Sequence, residues 1–222
     1  MQRRGKKIAD SRSVGARDTR EAEVRIIGGT FRGRRLQYHG DPVVRPMKHR
    51  TREAIFNLIS TECSGRHAID LFAGTGALGL EALSRGAASA TLIERHVPSA
   101  RIVEANIRSL DVEARATLCV TSAFLWAKRD LAIAAIDDAS AGKPWLVFCC
   151  PPYAFYRERQ AEMLDLVRLI QTHAPTGSIL IVEADEHFDF DLLLGGKSRS
   201  PHSGDWDVRE YSPATIGVWR SN

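Results

Sequence analysis

The chain has 222 residues, 44% of them hydrophobic and 26% charged, with a formal net charge of +4. This is a globular composition, long enough for one sizeable core or for one core plus a small appendage. No apolar run approaches the ~20 residues of a membrane span, and the charged N-terminus lacks the apolar stretch of a secretory signal.

Charge is distributed unevenly. Residues 1–60 hold 15 Lys and Arg against 6 Asp and Glu, a net of +9, whereas residues 61–222 hold 16 against 21, a net of −5. A basic front end on a mildly acidic body is expected to face a polyanion. The four cysteines, at 63, 119, 149 and 150, show no metal-type CxxC spacing and read as reduced thiols of a cytoplasmic protein.

Residues 1–23 are polar, basic and aperiodic, which predicts a disordered tail. Residues 24–60 follow as a small extension. The stretch EVRIIGGTFRGRRLQYHG reads as a β-hairpin turning around Gly28-Gly29 and Gly33, DPVVRP as a loop, and TREAIFNLIS as a helix with Ile55, Phe56, Leu58 and Ile59 at helical spacing. From residue 61 to 222 strands and helices alternate. Strands are predicted at HAIDLF (67–72), SATLIE (89–94), RATLCVTSA (115–123), PWLVFCC (144–150) and GSILIVEAD (177–185). A helix with Ala100, Val103, Ile107 and Leu110 on one face follows the second. Another with Met163, Leu166, Val167 and Ile170 in register follows the fourth. WDVREYSPATIGVWR (206–220) reads as two closing strands. Near-continuous apolar strands alternating with helices mean an α/β architecture with a parallel sheet covered on both faces.

The first strand runs into DLFAGTGALGLEA, where Gly74-Thr75-Gly76-Ala77-Leu78-Gly79 matches GxGxxG. Glycines let the backbone bend and approach a ligand at a helix N-terminus, although this match alone is weak. Asp70, four residues before Gly74, would repel a dinucleotide pyrophosphate. It suits a ligand carrying sulfonium and ammonium groups. Glu94 closes the next strand, where a carboxylate can accept both ribose hydroxyls. These residues favour S-adenosylmethionine over NAD, with Asp70, Phe72, Gly74, Gly76 and Glu94 as cofactor candidates.

The fourth strand ends in Cys150-Pro151-Pro152-Tyr153. In an open α/β sheet this end faces the same crevice as Gly74. Paired prolines stop the strand and stiffen the loop, and Tyr153 offers a ring face for stacking on a flat substrate.

DLFAGTGALGLEALSRGA, the later IE and PPY together resemble S-adenosylmethionine-dependent amino-methyltransferases with an (Asp/Asn)-Pro-Pro-(Tyr/Phe) motif. RIIGGTFRGRRL, RPMKHRTREAIFNLI and the late REY resemble, more narrowly, the bacterial family that methylates N2 of a guanine in 16S ribosomal RNA. The similarity runs from about Val24 to Trp219. It implies a class I, Rossmann-like fold: a seven-stranded, mostly parallel sheet with a terminal antiparallel hairpin, preceded by the hairpin-and-helix extension. It also implies a monomer; the spacing of the cysteines and histidines and the lack of a long apolar run give the further expectation of no metal and no membrane partner. It places the catalytic loop on Cys150, Pro151, Pro152 and Tyr153, and the RNA-facing front end on Arg25, Arg32, Arg34, Arg35, Arg45, Arg50 and Arg52. Ser122 aligns where the family has an Asp or Asn for the adenine amine.

The chain departs from the pattern at Cys150. In the family an Asp or Asn oxygen and the following Pro carbonyl accept hydrogen bonds from the target amine; a thiol is a weak acceptor. The sequence therefore carries an alternative, a descendant that binds the cofactor and RNA with weak or no transfer. His49 also stands where the family often has Asp. Cys149, Trp206 and Trp219 read as packing.

Overall fold

The computed structural model describes residues 24–38, 47–131, 142–194 and 206–222; the predicted tail 1–23, the loop 41–46 and Arg45 lie outside them. The chain enters through a minimal antiparallel pair, β1 (Val24–Arg25) with β2 (Arg35–Leu36), in which Val24 faces Leu36 and Arg25 faces Arg35. Helix α1 (His49–Ile59) follows. The main sheet comprises β3 (His67–Asp70), β4 (Ser89–Ile93), β5 (Ala116–Cys119), β6 (Trp145–Cys149), β7 (Ile179–Asp185), β8 (Trp206–Tyr211) and β9 (Ala214–Arg220). Its order is β5-β4-β3-β6-β7-β9-β8. The first five strands are parallel, and β9 runs antiparallel to both β7 and β8.

The helices between these strands are α2 (Ala77–Ser84), α3 (Val97–Ser109), α4 (Ala123–Arg129), α5 (Phe155–Glu158) and α6 (Gln160–His173), with a 3-10 turn at Phe190–Leu194. Successive strand side chains point to opposite faces, which splits the core in two. Ala68, Leu146 and Phe148 pack with Phe56, Leu80, Val103 and Ile107 of α1, α2 and α3. Ile69, Val147 and Leu180 pack with Trp126 of α4 and with Met163, Leu166, Val167 and Ile170 of α6. Cys149 and Trp219 are wholly buried and Trp206 packs against the second layer.

The extension shares the first layer through Val24, Ile26 and Leu36. Its docking is polar as well. The backbone N–H groups of Ile27 and Gly28 donate to the two oxygens of Glu81 on α2, each at 2.7 Å, and Arg85 donates to Glu81 at 2.8 Å. Gly29 sits at φ 76°, where an added Cβ would lie 1.9 Å from the Ser84 carbonyl oxygen, so only glycine fits this close approach. Asn106 of α3 accepts from Gln37 N–H at 2.6 Å and donates to the Thr75 carbonyl at 2.9 Å, tying the extension to the Gly-rich turn.

Two expectations need correction. The third strand of the alternation stops at Cys119 instead of continuing to residue 123: the Ser122 hydroxyl accepts from Leu125 N–H at 3.2 Å and starts α4, a seven-residue helix too short to show a period. The N-terminal hairpin has only two residues per strand, because its turn is spent on contacts with α2.

Candidate functional site

Strand order reverses between β3 and β6, and a crevice of about 830 Å³ opens at their carboxyl ends. In open α/β sheets this is where ligands bind. Of the residues singled out in the sequence, Phe72, Gly74, Glu94, Ser122, Cys150, Pro151, Pro152, Tyr153 and Arg52 line it.

One wall is the Gly-rich turn. Gly74 and Gly76 both take positive φ, 57° and 79°. The Glu94 carboxylate accepts from Gly74 N–H at 2.8 Å through Oε2 and from His96 N–H at 2.7 Å through Oε1, so it pins the turn to the end of β4. A carboxylate has about four acceptor positions, which leaves both oxygens able to take further donors.

Asp70 and Gly76 stand behind this wall. Asp70 is 1% exposed, does not border the crevice, and accepts from Gly79 N–H at 3.1 Å. Burial pushes its carboxyl up to about 7, the Gly79 hydrogen bond opposing. The expectation that Asp70 meets a cationic ligand therefore changes: it holds the N-terminal turn of α2 in place.

Part of the crevice lining is aromatic. Phe72, Phe124 and Phe155 form a triangle with ring centroids 6.1 Å apart on every side, and Arg159 lies over Phe124 at 4.1 Å and over Phe155 at 5.2 Å. With Ser122 beside it, this surface can bury a flat heterocycle and offer it a hydroxyl.

The floor at the end of β6 is Cys150-Pro151-Pro152-Tyr153. Burial pushes the Cys150 thiol well above its ordinary value, and the nearby Glu183 charge adds to this, so the sulfur stays protonated. The Tyr153 hydroxyl donates to Glu183 Oε1. Glu183 sits on β7, borders the crevice and is 6% exposed; burial pushes its carboxyl up to about 7, against the Tyr153 hydrogen bond. Tyr156 donates to the Glu183 carbonyl at 3.1 Å and fixes that strand end.

The basic residues separate. Arg32, Arg34 and Arg35 are exposed on the extension and Arg50 is exposed on α1 beside exposed Lys48, whereas Arg25 is half-buried. Arg52 is 2% exposed and donates from Nη2 to the Arg25 carbonyl at 2.6 Å. The expectation of a surface cation is corrected there: the helical stripe of α1 turns Arg52 inward, where it braces the extension at the crevice edge.

Glu183, Phe124 and Phe155 went unnoticed in the sequence. The signal for Glu183 was present, an acid inside the apolar run ILIVEAD on the strand next to β6. Among the described residues no group of three or more His, Cys, Asp and Glu side chains could hold a metal, and no helix is long and apolar enough to cross a membrane.

A family model described as Conserved hypothetical protein 95 matches residues 24–193. Ribosomal RNA small subunit methyltransferase D of Escherichia coli K12 is 53% identical over 72 residues, 32% of this chain and 36% of its own. The match thus spans about a third of that relative's length. Among solved structures, Escherichia coli yhhF superposes with a TM-score of 0.66 at 24% identity, over 90% of this chain and 98% of its own. An RNA methyltransferase from Salinibacter ruber, in complex with S-adenosyl-L-homocysteine, gives 0.54 at 14% identity, over 79% of this chain and 92% of its own. These likenesses show the class I methyltransferase fold. With 24–193 covered by one model, the chain belongs to the family described as Conserved hypothetical protein 95.

Proposed function

We propose that this protein transfers a methyl group from S-adenosylmethionine to the exocyclic N2 amine of a guanine in small-subunit ribosomal RNA. The observation that carries the reading is the meeting, in one crevice, of the Gly74–Glu94 corner with the Cys150–Tyr153 loop. The fit of the cofactor rests on the crevice itself: acceptor capacity on Glu94 for a ribose diol, and the Phe72, Phe124 and Phe155 surface with Ser122 for adenine. Bound there, S-adenosylmethionine supplies a methyl group made electrophilic by its sulfonium. The names of the Escherichia coli relative and the Salinibacter ruber structure support the same class.

The chain's own residues bind and orient. A guanine amine is a poor nucleophile because its lone pair is delocalised into the ring. The Pro151 carbonyl accepts one of its hydrogens and the Tyr153 ring stacks on the base. Holding the amine in line lowers the barrier by several kcal/mol. The base has to leave its stack, at a cost of about a few kcal/mol. Residues 24–60, with Arg32, Arg34, Arg35, Lys48 and Arg50 exposed, take the RNA phosphates. Residues 61–222 carry the transfer.

A second reading, binding without transfer, is favoured by the protonated Cys150 thiol at the motif's first position. The test is incubation of the natural chain with labelled S-adenosylmethionine and small-subunit particles lacking the modification. Label in the RNA is expected. Salt-sensitive binding of RNA with no label overturns the proposal in favour of the second reading, and label acquired by small molecules or protein regardless of RNA overturns the substrate class.

A further inference from the structure

Cys150 leaves the catalytic loop without its acid, yet two carboxylates border the crevice, Glu94 and Glu183. Glu94 stands across the crevice at the end of β4, three strands from β7, where its oxygens accept from the Gly74 and His96 N–H groups. Glu183 stands on β7, the strand paired with β6, where Val182 faces Cys149 and Glu183 is the next residue outward. Its Oε1 accepts from Tyr153, and among the described residues no donor reaches Oε2. The Glu183 backbone N–H in turn points at the Cys150 sulfur. Glu183 therefore borders the crevice beside the loop that lacks an acid, with one of its two oxygens held by Tyr153.

We propose that Glu183 is a catalytic residue standing in for the missing motif acid: its Oε2 accepts a hydrogen bond from the guanine N2 amine and then receives that amine's proton. The inference rests on the guanine-N2 reading. As the nitrogen lone pair forms the N–CH3 bond, the donor's S–CH3 bond breaks and its electron pair stays on sulfur. The positive charge passes to nitrogen, one N–H proton moves to the Glu183 carboxylate, and solvent later takes it. Methyl, charge and proton are thus accounted for without a further reactant.

The groups facing Glu183 set when it can act. Tyr153 and Cys150 face it from the end of β6, Cys149 from β6 itself, Tyr156 from α5 and Asp185 from its own strand, where Arg157 pairs with Asp185 at 3.0 Å. On the other side β9 presents Ile216 opposite it. Burial and the Asp185 charge raise its carboxyl to about 7, and the Tyr153 hydrogen bond works the other way. Transfer should therefore fall as pH drops below about 7. Removing the Tyr153 hydroxyl should move that fall to higher pH.

The test is single-turnover methyl transfer to unmodified small-subunit particles across the pH range. It compares the natural chain with Glu183→Gln, Tyr153→Phe, Cys150→Asp and the double variant Cys150→Asp/Glu183→Gln. Calorimetric affinity for S-adenosylmethionine is measured on each. Glu183→Gln should lower the rate about 10²–10⁴-fold with cofactor affinity unchanged, and Tyr153→Phe should shift the acid limb upward. The double variant should recover at least about tenfold over Glu183→Gln, because the restored acid takes over the acceptor's place. A Glu183→Gln rate within about threefold of the natural chain, an acid limb that Tyr153→Phe leaves in place, or no recovery in the double variant overturns the inference while leaving the guanine-N2 reading intact. Parallel loss of rate and cofactor affinity reduces Glu183 to packing. If the natural chain transfers nothing, the guanine-N2 reading fails and this inference falls with it.

Discussion

Two acids at the Gly-rich corner look alike in sequence and do different work. Glu94 reaches the Gly74 and His96 amides from the crevice side, whereas Asp70 reaches Gly79 from behind it. Spacing could say that both sit at strand ends; only the fold says which faces the crevice. Glu94→Ala strips acceptors from two amides at the wall, interactions with charged groups worth about 1.5–3 kcal/mol each. It should lower S-adenosylmethionine affinity at least about tenfold by calorimetry. Asp70 has an ordinary value of 3.8 and is raised to about 7 by burial. A carboxyl raised on folding contributes stability below its unfolded value and loses it as pH climbs through the folded one. The natural chain should thus lose stability between about pH 4 and about pH 7 relative to Asp70→Asn, read as diverging denaturant midpoints. Glu183 was hidden for a related reason: an acid in an apolar strand reads as a defect until the neighbouring strand brings Tyr153 to it.

At the scale of elements, the long strands and amphipathic helices were legible because period and burial coincide. Met163, Leu166, Val167 and Ile170 form the buried face of α6, as their spacing predicts. Helix α4 was not legible, because seven residues give no period and its start depends on one hydroxyl. The extension was legible as a hairpin, yet what holds it is remote in sequence. Glu81 on α2 receives the amides of Ile27 and Gly28, and Ser84 crowds Gly29. Glu81→Gln replaces one acceptor oxygen with donor hydrogens in a buried site and should cost about 3 kcal/mol. Gly29→Ala should cost at least about 2 kcal/mol through its positive φ and the Ser84 clash. Both losses would appear as lowered urea midpoints.

For the whole molecule, the uneven charge visible in the sequence becomes a basic extension docked beside the crevice, with Lys48 at its edge and Arg50 nearby. Charge counting could not separate Arg52 from its neighbours, since burial is set by which face of α1 meets the core. RNA binding should separate them. Arg32→Ala and Arg50→Ala should each weaken binding across sequences and reduce the slope of log affinity against log salt by about 0.7–1. Arg52→Ala should lower thermal stability, because it removes the buried guanidinium and its hydrogen bond to the Arg25 carbonyl. Nucleoside analysis of small-subunit RNA, after reaction of the natural chain with labelled S-adenosylmethionine and unmodified particles, identifies the atom that receives the methyl group. Label is expected in N2-methylguanosine alone; label in any other nucleoside, or none from a protein that still binds the cofactor, overturns the guanine-N2 assignment.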